Sequence, residues 1–216
     1  MNTINNILRT LWFTCIVRPL VLFALGVNIR NRQGLTAAAP AIIVANHNSH
    51  LDTMVLASLF PLKMLKKIRP VAAEDYFLRN RWLAWFALNI IRIIPLQRHG
   101  RNAKGDPLAG CSKAIEAGDI LLLFPEGTRG EPEQQAAFKT GVAHLATRHP
   151  EVPVIPVFMQ GLGKALPRGE CLLVPVVCDV IVGEPIFWPG SRQEFMAQLE
   201  GRLQDLARQV QRTILE

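Results

Sequence analysis

Short apolar runs recur along the chain at residues 41–45, 69–73, 91–96, 120–124, 152–157 and 172–182. Each has the length of a strand, and most are apolar without interruption, as in a sheet covered on both faces. Between them lie stretches with the three- and four-residue apolar spacing of helices, at 51–60, 77–88, 107–117 and 139–148. Strands alternating with helices predict a single α/β domain with a mostly parallel sheet flanked by helices. The final stretch, 191–216, predicts one amphipathic helix. Phe195, Leu199, Leu203, Leu206, Val210 and Ile214 fall on one face, and Ser191 with Glu194 offers a capping box. The stretches 99–106 and 130–135 are polar and carry Gly or Pro, which marks surface loops.

The N-terminal pattern is different. Residues 11–29 are almost wholly apolar, yet Arg18-Pro19 stands at their centre. A charge at mid-bilayer costs roughly 2.5–3.5 kcal/mol on insertion scales, and Pro removes a backbone donor and kinks a helix. Two short helices that dip into one leaflet, with Arg18 reaching for headgroups, fit these residues better than one spanning helix or a buried soluble helix. The expected organisation is an N-terminal, membrane-associated apolar helical hairpin over residues 1–35, followed by the α/β domain over 36–216. A second apolar patch, Trp82-Leu83-Ala84-Trp85-Phe86-Ala87-Leu88, lies beside Arg79 and Arg81. It suits a membrane interface as well as it suits a buried helix.

Composition adds a sign of charge. The 216 residues carry a formal net charge of +7, which favours an anionic partner: a membrane surface, a phosphorylated substrate or a nucleic acid. Nucleic acid is the poorest of the three, because there is a single Tyr and no basic run interleaved with stacking aromatics. Cys15, Cys111, Cys171 and Cys178 form no C-x-x-C pair, so no structural zinc or redox motif is expected and a reducing compartment is.

Candidate chemistry sits where two of the apolar runs end. The run 41–45 leads into Asn46-His47-Asn48-Ser49-His50-Leu51-Asp52. On a regular helix five steps turn about 500°, so His47 and Asp52 would point apart. They meet only if His47 lies in the loop and Asp52 in the first turn of the helix, with Ser49 as the N-cap and the helix starting near His50. Asp52 would then fix one imidazole nitrogen and leave the other to take a proton from a hydroxyl. Taken alone, the spacing fits equally a His that caps a helix and an Asp that complements its dipole.

The second run ends in Phe124-Pro125-Glu126-Gly127-Thr128-Arg129-Gly130. Pro125 cannot donate to a ladder, so the chain leaves the sheet there. In open α/β sheets this carboxyl edge is where ligands bind. Gly127 permits close approach of a ligand, and Arg129 offers a planar fork that matches phosphate. Glu126 could hold Arg129 or accept a hydrogen bond from a ligand hydroxyl. Arg98 just past the run 91–96, and Lys139 at a helix start, fit an anion site; each also fits a solvated surface charge.

Together these residues resemble the glycerolipid acyltransferase family, the lysophosphatidate acyltransferases in particular. The first family motif, N-H-x-S-x-x-D, matches Asn46, His47, Ser49 and Asp52. The third, F-P-E-G-T-R-S, matches Phe124 to Arg129, with Gly130 in place of Ser. F-K-x-G matches Phe138, Lys139 and Gly141, and V-P-[VI]-x-P-V matches Val152 to Val157. In the second motif, G-x-x-x-I-x-R, Arg98 fits and Arg92 stands where Gly is usual. The resemblance implies transfer of a fatty acyl group from acyl-CoA or acyl carrier protein, as co-substrate, to the free hydroxyl of a lysophosphatidate-type acceptor in phospholipid biosynthesis. Another lysolipid, a lyso-ornithine lipid or glycerol 3-phosphate is the alternative acceptor. His47 would be the general base and Asp52 its orienting partner, while Arg98, Glu126, Gly127, Thr128, Arg129 and Lys139 would bind the acceptor. No metal, no cofactor and no covalent acyl-enzyme are expected. The implied partners are a membrane surface, the lysolipid and the thioester donor. The implied location is the cytoplasmic face of a bacterial inner membrane, peripheral or monotopic.

Overall fold

A computed structural model describes residues 3–36, 39–49, 51–97, 105–127, 138–165 and 176–215. The chain starts with α1 (Thr3–Trp12), whose helical path continues through wide turns at Phe13–Val17 and Leu20–Ala24 and passes directly into β1 (Leu25–Arg30). After α2 (Gln33–Thr36) come β2 (Ala41–Ala45), α3 (Asp52–Ser58) and a tight helical turn at Leu62–Lys67. β3 (Ile68–Ala73), α4 (Glu74–Phe77), α5 (Arg81–Phe86), a wide turn at Ala87–Ile91 and β4 (Ile94–Leu96) follow. The rest is α6 (Ala109–Glu116), β5 (Ile120–Leu123), α7 (Gly141–Arg148), β6 (Val154–Gln160), α8 (Leu162–Ala165), β7 (Val176–Val182) and α9 (Arg192–Leu215).

The strands form one seven-stranded sheet in the order β1-β7-β6-β2-β5-β3-β4. Every pairing is parallel except β6 with β7. The alternation of side chains along each strand sorts the core into two layers. On β2 and β5, Ala41, Ile43, Ala45, Ile120 and Leu122 face one cluster with Val55, Leu56 and Phe60. Ile42, Val44, Leu121 and Leu123 face the other, with Cys111, Val142, Leu145, Phe195, Leu199 and Leu203. Burying a Leu, Ile or Phe of this kind contributes roughly 1.5–3 kcal/mol, so strands apolar on both sides are what a doubly covered sheet requires.

This layering sets the position of the site. α3, which follows β2, packs on one face of the sheet. α7, which follows β5, packs on the other. β2 and β5 are hydrogen-bonded neighbours in parallel register, with Val44 opposite Leu123. The two chains therefore diverge to opposite faces just past the carboxyl ends of adjacent strands, and a crevice opens between them.

The α/β architecture and the mostly parallel sheet are as expected; several local features are not. In place of a hairpin, one helical stretch, Thr3–Phe23, is long and apolar enough to cross a membrane, and the stretch after it is β1. Val27 and Ile29 alternate with Gly26 and Asn28, a strand period hidden at the end of a long apolar run. Pro19 is accommodated because the turn ahead of it is widened: the Arg18 N–H donates to the Phe13 carbonyl, five residues back. Arg18 does not reach outward; its Nη2 donates to the Phe60 carbonyl at 2.8 Å. The helix expected over 77–88 breaks at Asn80, whose side chain accepts from Trp82 N–H at 2.9 Å and so caps α5. The strand expected over 91–96 starts at Ile94, because a wide turn ends at Arg92 in the left-handed region.

α9 buries Phe195, Leu199, Leu203, Leu206 and Val210; the Ile214 side chain falls outside those described. Its capping box is half formed. Glu194 N–H points to Ser191 Oγ at 3.5 Å, while the Glu194 carboxylate accepts from Gln198. Of the other expectations, residues 172–175 and the loops 99–104 and 130–135 lie outside the described residues.

Candidate functional site

The loop after β2 carries the histidine. Asn46 anchors the loop to β6: its Nδ2 donates to the Met159 carbonyl, and its Oδ1 accepts from the Met159 N–H, both at 2.8 Å. Asn48 Nδ2 donates to the same carbonyl at 3.0 Å. His47 is thus held on both sides by side chains that act as extra rungs of the sheet.

Asp52 is the first residue of α3 and is fully buried. Its Oδ2 accepts three hydrogen bonds: from His47 Nδ1 at 2.9 Å, Asn48 N–H at 2.6 Å and Ser49 N–H at 2.8 Å. Two of the donors are fixed backbone groups, so the carboxylate is pinned before the imidazole meets it. An oxygen that accepts from three sides requires the proton on Nδ1, which leaves a lone pair on Nε2. The helix begins later than expected, at Asp52. Ser49 is not its N-cap; Ser49 Oγ accepts instead from Leu51 N–H within the loop, at 3.3 Å. His50 lies outside the described residues.

The loop after β5 closes on the same point. The Phe124 ring stacks on the His47 ring, with centroids 4.4 Å apart. Glu126, buried, accepts the His47 backbone N–H at 3.2 Å. Glu126 therefore ties the two loops together, a role its position in the sequence does not announce. Phe124 was equally hidden, since at the end of an apolar run it reads only as strand. The signal for both is the in-register pairing of β2 with β5, which brings residues 45–47 level with 124–126.

Gly127 adopts φ +70°. A Cβ there would lie 2.8 Å from Cε and Nζ of Lys139, so the lysine side chain runs directly over the glycine. Lys139 N–H in turn donates to the Pro125 carbonyl at 2.8 Å. Lys139 is exposed and sits two residues ahead of α7 rather than within it. The structure brings His47, Asp52, Glu126, Gly127 and Lys139 into one crevice. Arg98, Thr128 and Arg129 lie outside the described residues. Among the described residues no three His, Cys, Asp or Glu side chains are grouped to hold a metal ion.

Chemically, the crevice offers a histidine with one nitrogen tethered and the other available, and a lysine whose ammonium lies over Gly127, next in the chain to the Glu126 that holds the histidine loop. The side chain of His47 is 20% exposed while that of Asp52 is sealed. A hydroxyl can therefore reach the imidazole, and water cannot reach the carboxylate behind it.

Comparison with known proteins gives a consistent context. The chain is 28% identical over 194 residues to the chloroplastic 1-acyl-sn-glycerol-3-phosphate acyltransferase of Arabidopsis thaliana, covering 89% of this chain and 51% of that protein. It is 25% identical over 187 residues to the human 1-acyl-sn-glycerol-3-phosphate acyltransferase alpha, covering 84% and 62%. The chain thus spans about half to three-fifths of the length of these relatives. A crystal structure of the 1-acyl-sn-glycerophosphate acyltransferase PlsC from Thermotoga maritima has the same fold, with a TM-score of 0.69, 20% identity and 98% of each chain covered. The Acyltransferase family model matches residues 26–160, a span that begins within β1, ends with β6 and includes both loops of the crevice, and this chain belongs to that family.

Proposed function

We propose that this protein transfers a fatty acyl group from an acyl thioester, acyl-CoA or acyl carrier protein, to the free hydroxyl of a lysophosphatidate-type acceptor. One observation carries the assignment: His47 Nδ1 is bound to a carboxylate already pinned by two backbone N–H groups. His47 Nε2 takes the acceptor's hydroxyl proton, and the oxygen attacks the thioester carbonyl. The C–S bond then breaks, and the thiolate leaves with the proton from the imidazolium. Asp52 orients the ring and stabilises its charged form; Glu126 holds the backbone that carries it. Binding of the acceptor's phosphate falls to Lys139 and, by the motif positions they occupy in the sequence, to Arg98, Thr128 and Arg129.

The acceptor class is supported by the names of the relatives, which act on 1-acyl-sn-glycerol-3-phosphate. The long-chain substrate and product stay in a bilayer, which suits an exposed apolar surface on α1 and α5. A water-soluble thioester donor and a net charge of +7 favour the cytoplasmic leaflet of a bacterial inner membrane, where anionic lipids attract basic chains.

The test is acyl transfer by His47→Ala, with acyl-CoA and acyl carrier protein as alternative donors and a panel of lysophosphatidate, lysophospholipids and glycerol 3-phosphate as acceptors. The expected result is loss of transfer with the melting temperature and vesicle binding retained, and lysophosphatidate as the acceptor the wild type prefers. Wild-type turnover by His47→Ala would remove the histidine from the mechanism.

A further inference from the structure

At the edge of the sheet opposite His47, where β3, β4 and β5 begin, four cations surround one carboxylate. Asp119 stands just ahead of β5, Lys67 just ahead of β3, Arg69 within its first residues and Arg92 two residues ahead of β4. Arg9 reaches in from α1, its Nη2 donating to the Ile68 carbonyl at 3.1 Å. Asp119 senses all four cations, yet burial raises its pKa. Its one ion pair among the described residues is with Arg69 Nη1, at 3.7 Å, beyond hydrogen-bond length. Arg92 Nη1 donates to the Lys66 carbonyl.

These contacts leave donors over. Nε and Nη1 of Arg9 and Nε of Arg69 are buried with no acceptor among the described residues. Arg9 is 2% exposed. Burial first, then Arg92 and Arg69, pull its pKa down to about 9, against the opposing pull of Asp119. A buried guanidinium with unmet donors and like charges beside it lacks an anion.

The backbone gives an independent sign. Arg92 has φ 65° and ψ 43°, the left-handed region that glycine adopts freely, that Asn and Asp tolerate, and that strains other side chains. Glycine is the usual residue at this place in the motif noted above, and here a cation occupies it. Strain of this kind marks positions where a side chain has a task.

We propose that Arg9, Arg69 and Arg92 form a second anion site that takes a phosphate group, at the far end of the sheet from His47. Three guanidinium forks suit the several oxygens of a phosphate, and the surplus of cations over Asp119 suits more than one negative charge. Arg69 and Arg92 are partly exposed, so the site opens to solvent, while Arg9 seals its inner side. β5 alone separates this edge from the catalytic loops by about 13 Å, four residues at roughly 3.3 Å each. The site is therefore distinct from the acceptor pocket. Its phosphate comes either from a lipid headgroup, since the outer face of α1 is apolar, or from solution.

The test uses Arg92→Gly, which removes the cation and relieves the backbone, and Arg92→Asn, which removes the cation with a residue that tolerates the same φ. Binding of labelled inorganic phosphate is measured by equilibrium dialysis at fixed ionic strength. Co-sedimentation is measured with phosphatidylcholine vesicles with and without phosphatidate. Both variants are expected to fold with melting temperatures at or near that of the wild type and to bind roughly tenfold more weakly in at least one arm. A difference in dialysis identifies free phosphate as an occupant; a difference confined to phosphatidate vesicles identifies a headgroup. Wild-type affinity in both arms for both folded variants overturns the proposal. Binding is read directly, so the result stands whatever the outcome for acyl transfer.

Discussion

Position 52 shows how much a single side chain can fix. The Asp52 carboxylate organises its own loop through Asn48 and Ser49 before it meets His47, so replacing it by Asn keeps an acceptor for the loop and changes the partner of the ring. Asp52→Asn is expected to lower the rate of acyl transfer by roughly a hundredfold to ten-thousandfold, the range for a misoriented general base. The acceptor KM should change little, and a kcat within a few-fold of wild type would leave Asp52 only a structural role. Gly127 makes the complementary case for a residue with no side chain. Its φ of +70° costs a non-glycine residue roughly 1–2 kcal/mol, and a methyl group would press on the end of Lys139. Gly127→Ala is therefore expected to lower the melting temperature by roughly 2–6 °C and to raise the acceptor KM by displacing the lysine; an unchanged melting temperature would contradict it. The contact of His47 with Asp52 and the turn at Gly127 were legible in the sequence because both follow apolar runs, in residue types that the proposed chemistry needs. The bond from Glu126 to the His47 backbone was not, because it depends on the register of two strands far apart in the chain.

Elements were legible wherever period and length agreed. β2, β5 and α9 lie where the apolar pattern put them. The errors gather where apolar residues run on past the end of an element. β1 was lost inside residues 11–29, and the strand expected over 91–96 took in Ile91, the last residue of the wide turn at Ala87–Ile91. Hydropathy has no period there, so only backbone geometry marks the joint. The same helix shows what amphipathicity leaves unpartnered. α1 and its continuation expose Ile4, Ile7, Leu11, Leu22 and Phe23, and α5 exposes Trp82 and Trp85. α1 is joined to α5 by Trp12 set edge-on to Phe86, 4.9 Å between centroids, and to the wide turn after α5 by Asn5 Nδ2 donating to Asn89 Oδ1 at 2.7 Å. Both elements thus expose large apolar side chains, which suits the bilayer contact proposed above. Burying a large apolar side chain contributes roughly 1.5–3 kcal/mol, so Phe23→Ser and Trp82→Ser are each expected to weaken vesicle binding by roughly tenfold or more. The melting temperature in solution should stay within a degree or two of wild type, because both side chains make little contact with the core. Vesicle binding that survives the double variant would move the membrane contact elsewhere.

At the scale of the whole molecule, α/β alternation foretold the layered sheet, because strands apolar on both sides can be satisfied only between two layers of helices. The order of the strands was not legible, since it is set by which face each connection takes. The two layers also determine how the fold responds to alkali. Cys111 of α6 is fully buried in one layer and Cys178 of β7 in the other. Burial, reinforced by nearby Asp106 for Cys111 and Asp179 for Cys178, pushes each thiol up to about 11 from an ordinary value of 9.0. A raised pKa in the folded state means that the neutral thiol is favoured there. The contribution to stability is intact below pH 9, where the thiols are neutral whether the chain is folded or not. It falls as pH rises from 9 to 11, because only the unfolded chain releases the protons, and it levels off above 11. Each thiol accounts for a decline of up to roughly 2–3 kcal/mol across that window. Denaturant unfolding followed from pH 8 to 11 is expected to show this fall, and Cys111→Ala should reduce its slope while lowering stability at pH 8 through the smaller side chain. A slope in the variant equal to that of the wild type would place the alkaline sensitivity in other groups.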